Sequence, residues 1–295
     1  MPPDGRESTL SLGFPASRNE RPATPLSLAE KLATSFSVEA AEWDRTSHVP
    51  ADCIARLAEA RLLALPLVSG GGPGLRGSHA TAGLMAVLTA IGSGDLSAGR
   101  LYEGHINALL LSERFGSSIQ RHNVSNSVFR HGQLLAVWNT DAATPVSLVP
   151  DGPSWRLDGA KRFASGAGLV GLALITARHP DGSRQMVMVP GSAVVDRIDT
   201  SSWRPLGMRA SMSFDVEFTG LGVEPQALLG KPDDYLAEPW FSAGCIRFGA
   251  VQLGGALAIL RVVHAHLRGL VVTGMPTNRS VTHRCASPFR EHASG

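Results

Sequence analysis

Apolar positions in the first half of the chain recur every three or four residues. Leu28, Leu32, Phe36, Ala40 and Trp43 form one such series, the pattern of an amphipathic helix, and Ser27 to Glu30 reads as the capping box that opens it. A second helix follows Pro50, carries Ile54, Leu57 and Leu65, and ends at Pro66. A glycine-rich loop from Ser69 to Gly77 leads into a third, from about His79 to Ile91, with Leu84, Val87, Leu88 and Ile91 on one side. Asp95 then N-caps a helix over Leu96–Phe115 that Gly116 closes, and a further helical stretch ends at Gly132.

After Gly132 the period changes from about 3.6 to 2. Leu134–Asp141, Trp155–Ala164, Leu169–Arg178, Gln185–Pro190 and Phe214–Phe218 read as strands of an antiparallel region, with Asp158-Gly159 and Asp181-Gly182 as hairpin-type dipeptides between them. Pro239 opens the last helix. There Ile246, Ala250, Leu253, Leu257, Leu260, His264 and Leu267 make one bundle-type seam, while Val251, Ala258 and Val262 add a second apolar side. The pattern collapses after Arg268. The expected organisation is therefore a loose arm (1–26), a helical domain (27–132), a β domain (133–232), one helix of a C-terminal bundle (238–268) and an aperiodic tail (269–295).

Composition narrows the class. Of the 295 residues 43% are apolar and 18% charged, enough to bury a sizeable core and too ordered a mixture for a disordered chain. A net charge of +2, with arginines scattered rather than striped, argues against a dedicated nucleic-acid binder. Cys53, Cys245 and Cys285 lie far apart without a CxxC, which disfavours a zinc ribbon or redox dithiol; an odd number of cysteines fits a reducing cytoplasm. No signal peptide and no membrane span are expected, since the longest uncharged run, Gly77 to Gly94, is too polar.

Formal motifs carry little. Gly166–Gly171 spells GxGxxG, but a strand rather than a helix follows it, so a turn between strands is the reading and a Rossmann site is not. Gly70–Gly74 lacks the Gly-Lys-Ser/Thr of a phosphate loop. No GxSxG elbow occurs, and His264 and His266, two apart on a helix, make a poor metal pair; no metal site is expected. His105 stands four residues from both Leu101 and Leu109, facing inward. It is either a satisfied interior histidine or a catalytic proton donor beside a cofactor pocket.

Two segments make the helix–sheet–helix order specific. Leu157-Asp158-Gly159-Ala160-Lys161-Arg162-Phe163-Ala164-Ser165-Gly166-Ala167 resembles the L-N-G-x-K-x-(W/F)-I-(T/S)-x-A strand of the acyl-CoA dehydrogenase family. Leu206-Gly207-Met208-Arg209-Ala210-Ser211, then Asp215-Val216-Glu217-Phe218, Val223-Glu224-Pro225 and Leu229-Gly230, resembles that family's L-G-M-R-x-(S/T) run with its V-x-F, V-P and L-G continuation. The likeness covers about residues 27–268. It implies an α+β chain with an N-terminal helical domain, a middle antiparallel β-barrel-like domain and a C-terminal helical bundle. It also implies FAD, or FMN in a monooxygenase-like relative, between the β domain and the last helices.

On that resemblance Trp138 and Thr140 occupy the segment that meets the flavin edge, and Phe163 and Ser165 occupy the positions of the aromatic residue and hydroxyl set against the ring. The implied activity is oxidation of the CH–CH bond of an acyl-CoA or a related small apolar substrate in a homo-oligomer, with an electron-transfer or flavin-reductase partner. Flavin-dependent oxygenation on the same fold is the alternative, and an inactive fragment or interaction module a third. Asp141 stands where the family has Glu, and Pro145-Val146 where Gly-Ser would follow, which puts the acyl-CoA contact in doubt. A four-helix bundle with helices of about 25 residues needs about 100 residues after the sheet. One such helix is legible, so the expectation is a chain truncated in its last domain, without the region of the usual catalytic Glu.

Overall fold

The computed structural model describes residues 23–49, 51–67 and 78–272. Residues 1–22 of the expected arm, the Ser69–Gly77 loop with Gly70–Gly74, Cys285 and the tail after residue 272 lie outside the described residues, while the last four positions assigned to the arm lead into and begin the first helix.

Among the described residues six α-helices and ten short strands follow one another, helices first, then strands, then one long helix. The helices are α1 (Pro25–Thr46), α2 (Ala51–Glu59), α3 (Ser78–Gly94), α4 (Leu96–Phe115), α5 (Ser118–His131) and α6 (Trp240–Val272). α1 starts earlier than the pattern suggests. Thr24 is the N-cap, Pro25 fills the first position, where an N–H has no partner anyway, and Ser27 is the third residue whose hydroxyl closes the box. α2 stops at Glu59, before Leu65. Tyr102 Oη donates to the Leu62 carbonyl at 2.9 Å, so the chain after α2 is held as a buried turn on α4. Asp95 does cap α4, its side chain accepting from the Ala98 N–H at 2.6 Å.

The strands are β1 (Leu135–Trp138), β2 (Ser147–Asp151), β3 (Ser154–Asp158), β4 (Ala160–Ala164), β5 (Leu172–Arg178), β6 (Arg184–Pro190), β7 (Ile198–Asp199), β8 (Phe214–Glu217), β9 (Leu221–Val223) and β10 (Leu228–Leu229). They form two open sheets rather than the expected antiparallel barrel-like domain. One has seven strands, in the path β10-β6-β5-β2-β3-β9 with β1 also beside β5; the other has three, β4-β8-β7. β1 runs parallel to β5, and β2 meets β5 in parallel at Ser147 and Arg178, so the larger sheet is mixed. Asp181-Gly182 does turn the β5–β6 hairpin. Asp158-Gly159 does not make a hairpin: β3 pairs with β2 and β9, β4 with β8, and the chain changes sheets there. Gly159, at φ +113 and with a Cβ that would strike the Pro145 backbone, is what lets it do so. The hairpin that the pattern missed is β2–β3.

α4 is the central helix, packed on α3 and α6 on one side and on β1 on the other. α6 lies on α3 with their backbones almost touching. A Cβ on Gly92 would collide with the Val251 carbonyl and one on Gly254 with the Thr89 carbonyl, while Thr89 Oγ1 donates to the Ala250 carbonyl at 3.1 Å. The two expected apolar sides are each divided. Ala250 and Val251 face inward with the small residues, whereas Ile246, Leu253, Leu260 and Leu267 of one side and Val262 of the other face out, each at least half exposed. By length and hydropathy α6 would suffice to cross a bilayer, yet its first half packs against the helical layer.

Candidate active site

Between the β strands, α4 and α6 lies a cleft of about 350 Å³, within the range of small-ligand sites. The β side contributes Val137, Asn139, Thr140 and Phe163. α4 contributes Arg100, Glu103 and Asn107, whose spacing of three and four keeps them on one stripe. α6 contributes Phe241, Gly244, Cys245 and Phe248 by the same rule, and Tyr235 closes one end, its ring 5.6 Å from that of Phe241. Other concavities lie at the α1/α3/α6 contact and over α5, but neither combines aromatic walls with polar groups from all three layers.

Phe163 reaches the cleft through backbone irregularity. The β4–β8 register shifts between Lys161 and Ala164, a bulge, and Phe163 sits at φ +54 while the Ser165 N–H bonds the Phe163 carbonyl at 2.8 Å. A bulge re-aims a side chain, and here it stands Phe163 beside Thr140, whose carbonyl accepts from the Arg162 N–H at 2.9 Å. The Trp203 ring meets Phe163 edge-on at 6.1 Å.

Beneath this loop Lys161 is fully buried. Its ammonium donates to the Asn139 carbonyl at 3.0 Å, to Asp141 Oδ1 at 2.5 Å and to Thr176 Oγ1 at 3.1 Å. Burial pulls the Lys161 ammonium below its ordinary pKa against the pull of Asp141. For Asp141 burial acts upward, but the Lys161 hydrogen bond and charge outweigh it and the carboxyl ends below its usual range. Thr176 in turn donates to Asn139 Oδ1 at 2.8 Å, which leaves the Asn139 amide N–H₂ and the Thr140 hydroxyl without partners among the described residues.

The four positions carried over from the resemblance divide in two. Thr140 and Phe163 line the cleft. Trp138 and Ser165 lie behind it, both buried. Trp138 Nε1 donates to the Ser165 carbonyl at 3.0 Å, and the Ser165 hydroxyl continues through Ser213 to Ser211 in a buried chain with 2.8 Å steps. His105 does not open to the cleft. It is fully buried, with Nδ1 accepting from the Leu135 N–H at 2.9 Å and Nε2 donating to the Leu63 carbonyl at 2.8 Å. Burial pulls its pKa down to about 4, so it is a neutral interior histidine rather than a proton donor to a ligand. Sequence reasoning passed over Arg100, Glu103 and Asn107. Their stripe is interrupted by apolar residues and resembles a solvated helix face until α6 and the β strands close over it.

No protein-family profile matches the chain. The dibenzothiophene monooxygenase of Mycolicibacterium goodii is 24% identical, over 97% of this chain and 72% of that protein, and that of Rhodococcus qingshengii is 27% identical over 82% and 60%. The crystal structure of the Paenibacillus sp. A11-2 dibenzothiophene monooxygenase with FMN and indole superposes with a TM-score of 0.71 at 25% identity, over 80% of this chain and 62% of that one. Butyryl-CoA dehydrogenase of Megasphaera elsdenii superposes with a TM-score of 0.70 at 15% identity, over 82% and 68%. The chain has the acyl-CoA dehydrogenase fold. It shares that fold with both dehydrogenases and monooxygenases, and it spans between 52% and 72% of the length of the curated relatives it matches.

Proposed function

We propose that this chain is an oxidoreductase of the flavin-dependent monooxygenase type, acting on a small aromatic or otherwise apolar substrate with reduced flavin delivered by a separate reductase. The observation that carries this reading is the cleft, in which Phe163, Phe241, Phe248 and Tyr235 form aromatic walls and the Asn139 amide and Thr140 hydroxyl remain free at the β edge. Those groups suit an isoalloxazine ring, which needs apolar walls and a few donors to its polar edge. Phe163 and Val137 would flank the ring, and Asn139 and Thr140 would bond the edge. A bound reduced flavin would supply the two electrons with which dioxygen gives one oxygen atom to substrate and the other to water. The chain's own share is to orient the aromatic substrate, hold the donors and exclude water.

FMN fits this reading better than the FAD that the dehydrogenase resemblance suggests, since the relative of known structure carries FMN. Acyl-CoA oxidation is the weaker alternative: the curated relatives are named as monooxygenases at 24–27% identity, whereas the dehydrogenase neighbour shares the fold at 15%.

The test uses the full chain with FMN, NADH, a flavin reductase and labelled dioxygen. Incorporation of one labelled atom into dibenzothiophene or indole supports the proposal. Anaerobic bleaching of bound flavin by an acyl-CoA, without oxygen incorporation, favours the dehydrogenase reading. Failure to hold any flavin favours the interaction-module reading. Thr140→Val should weaken FMN binding by about three- to tenfold, the scale of one hydrogen bond, while Ser165→Ala should leave it unchanged.

A further inference from the structure

The α4 side of the cleft has a charge imbalance that the fold itself does not resolve. Glu103 is 3% exposed and pairs with Arg100, three residues earlier, at 2.5 Å. Its other oxygen accepts from the Asn107 amide, whose own oxygen accepts from Arg247 Nε on α6. Arg247 is 7% exposed. Among the described residues, Arg100 has no other ion-pair partner and Arg247 has none. Two guanidiniums therefore share one carboxylate, bridged by one amide, and the trio stays net cationic in either protonation state of Glu103.

A guanidinium has five N–H donors in a planar fork, and the Arg100 side chain is about a quarter exposed, so its fork opens to the cleft rather than being sealed in the core. Arg100 uses one of its nitrogens on Glu103 and Arg247 one on Asn107; the others have no hydrogen-bond partner among the described residues. Arg100, Glu103 and Asn107 all line the cleft, across from Phe163. A fork of this kind matches the two oxygens of a carboxylate, a sulfinate or a phosphate better than any neutral group.

Resting on the proposed aromatic cleft, we propose that Arg100, set in place by Glu103 and Asn107 with Arg247 bonded to Asn107, is an anion site, which takes the oxyanion of an aromatic ligand while the ring lies against the phenylalanines. The anion can belong to the substrate, as a carboxylate or sulfinate, or to the cofactor, as its phosphate. Glu103 is then a positioning residue: it holds Arg100 in place and limits the positive charge.

Equilibrium dialysis of the full chain against benzoate and its neutral isostere benzamide, without flavin, tests the site independently of any oxygenation. FMN and riboflavin make the parallel pair. The expected result is at least a tenfold preference for one of the two anions over its neutral partner, lost in Arg100→Met. A benzoate preference assigns the site to substrate, and an FMN preference to the cofactor phosphate. Because Arg100→Met strands a buried carboxylate and risks misfolding, Glu103→Gln is the second variant. It removes the negative charge and should tighten anion binding about threefold or more, a change that loss of structure does not mimic. Equal binding of anionic and neutral partners in both pairs, or a preference that survives Arg100→Met in folded protein, overturns the anion site. The benzoate and benzamide arm holds neither flavin nor oxidant, so its outcome stands apart from whether the chain binds flavin or inserts oxygen.

Discussion

The imidazole of His105 is the acceptor for the backbone N–H of Leu135, the first residue of β1, and through its other nitrogen it bonds the carbonyl of Leu63. One neutral tautomer thus joins the turn after α2, the central helix and the sheet. Its pKa is depressed from 6.5 to about 4 by burial. Above pH 6.5 both folded and unfolded states hold it neutral and its bonds contribute in full. As pH falls from there towards 4, the unfolded chain takes up the proton first, and stability falls by roughly 3 kcal/mol. His105→Gln should be less stable at pH 7 by about 1–3 kcal/mol and should show a shallower loss between pH 6.5 and 4, as read by urea unfolding.

Lys161 answers to a different rule. Its ammonium is the shared donor for Asp141, Thr176 and the Asn139 carbonyl, so Lys161→Met leaves the partly buried Asp141 carboxylate with only the longer contact to Arg178, at 3.5 Å, and should cost about 3 kcal/mol in thermal or urea unfolding. Lys161→Met combined with Asp141→Leu should regain much of that loss, because an apolar pair replaces a broken ion pair rather than leaving half of one.

Phe163 opposes stability to binding. A phenylalanine at φ +54 carries backbone strain of about 1–2 kcal/mol that glycine does not. Its side chain is about half exposed, so the packing lost on removal is modest. Phe163→Gly should therefore leave the melting temperature unchanged or raised, while weakening FMN binding severalfold because one wall of the cleft is gone. A drop in both would place Phe163 in the core instead.

The outward face of α6 sets the solution behaviour. Ile246, Leu253, Leu260 and Leu267 are exposed on one side of a long helix, a contiguous apolar stripe of the kind that drives association. Light scattering at rising concentration should show residues 1–295 self-associating. Leu253→Gln with Leu260→Lys should reduce that association without lowering the unfolding midpoint, since neither side chain is buried.

The layer order was legible because periodicity reports burial: one-sided helices, then alternating strands, then a helix apolar on two sides. Asp95, Gly116 and Gly132 were readable because caps are local chemistry. What escaped was non-local. Asp158-Gly159 looks like a hairpin turn, and only the partners of β3 and β4 show that the chain moves between sheets there. The β1–β5 parallel pairing has no local mark at all. Of the positions carried over by resemblance, Thr140 and Phe163 border the cleft while Trp138 and Ser165 lie behind it; on β4 the bulge between Lys161 and Ala164 decides which side chains emerge, and no local pattern marks a bulge. Glu103 escaped because a buried carboxylate and a solvated one are written with the same letter.

The glycine contact between α3 and α6 fixes more than packing. Where two backbones touch, as at Gly92 with Val251 and Gly254 with Thr89, a helix can neither roll nor slide without collision. Phe248 and Phe241 lie on the same rigid rod, about 9 and 20 Å along it from Gly254 at the usual helical rise. The aim of the aromatic wall is thus set at a distance, by residues that have no side chain at all. A methyl group added at Gly254 would strike the backbone of Thr89, Ser93 and Gly92, and any shift of α6 that relieved the clash would be felt in the cleft as a change of angle.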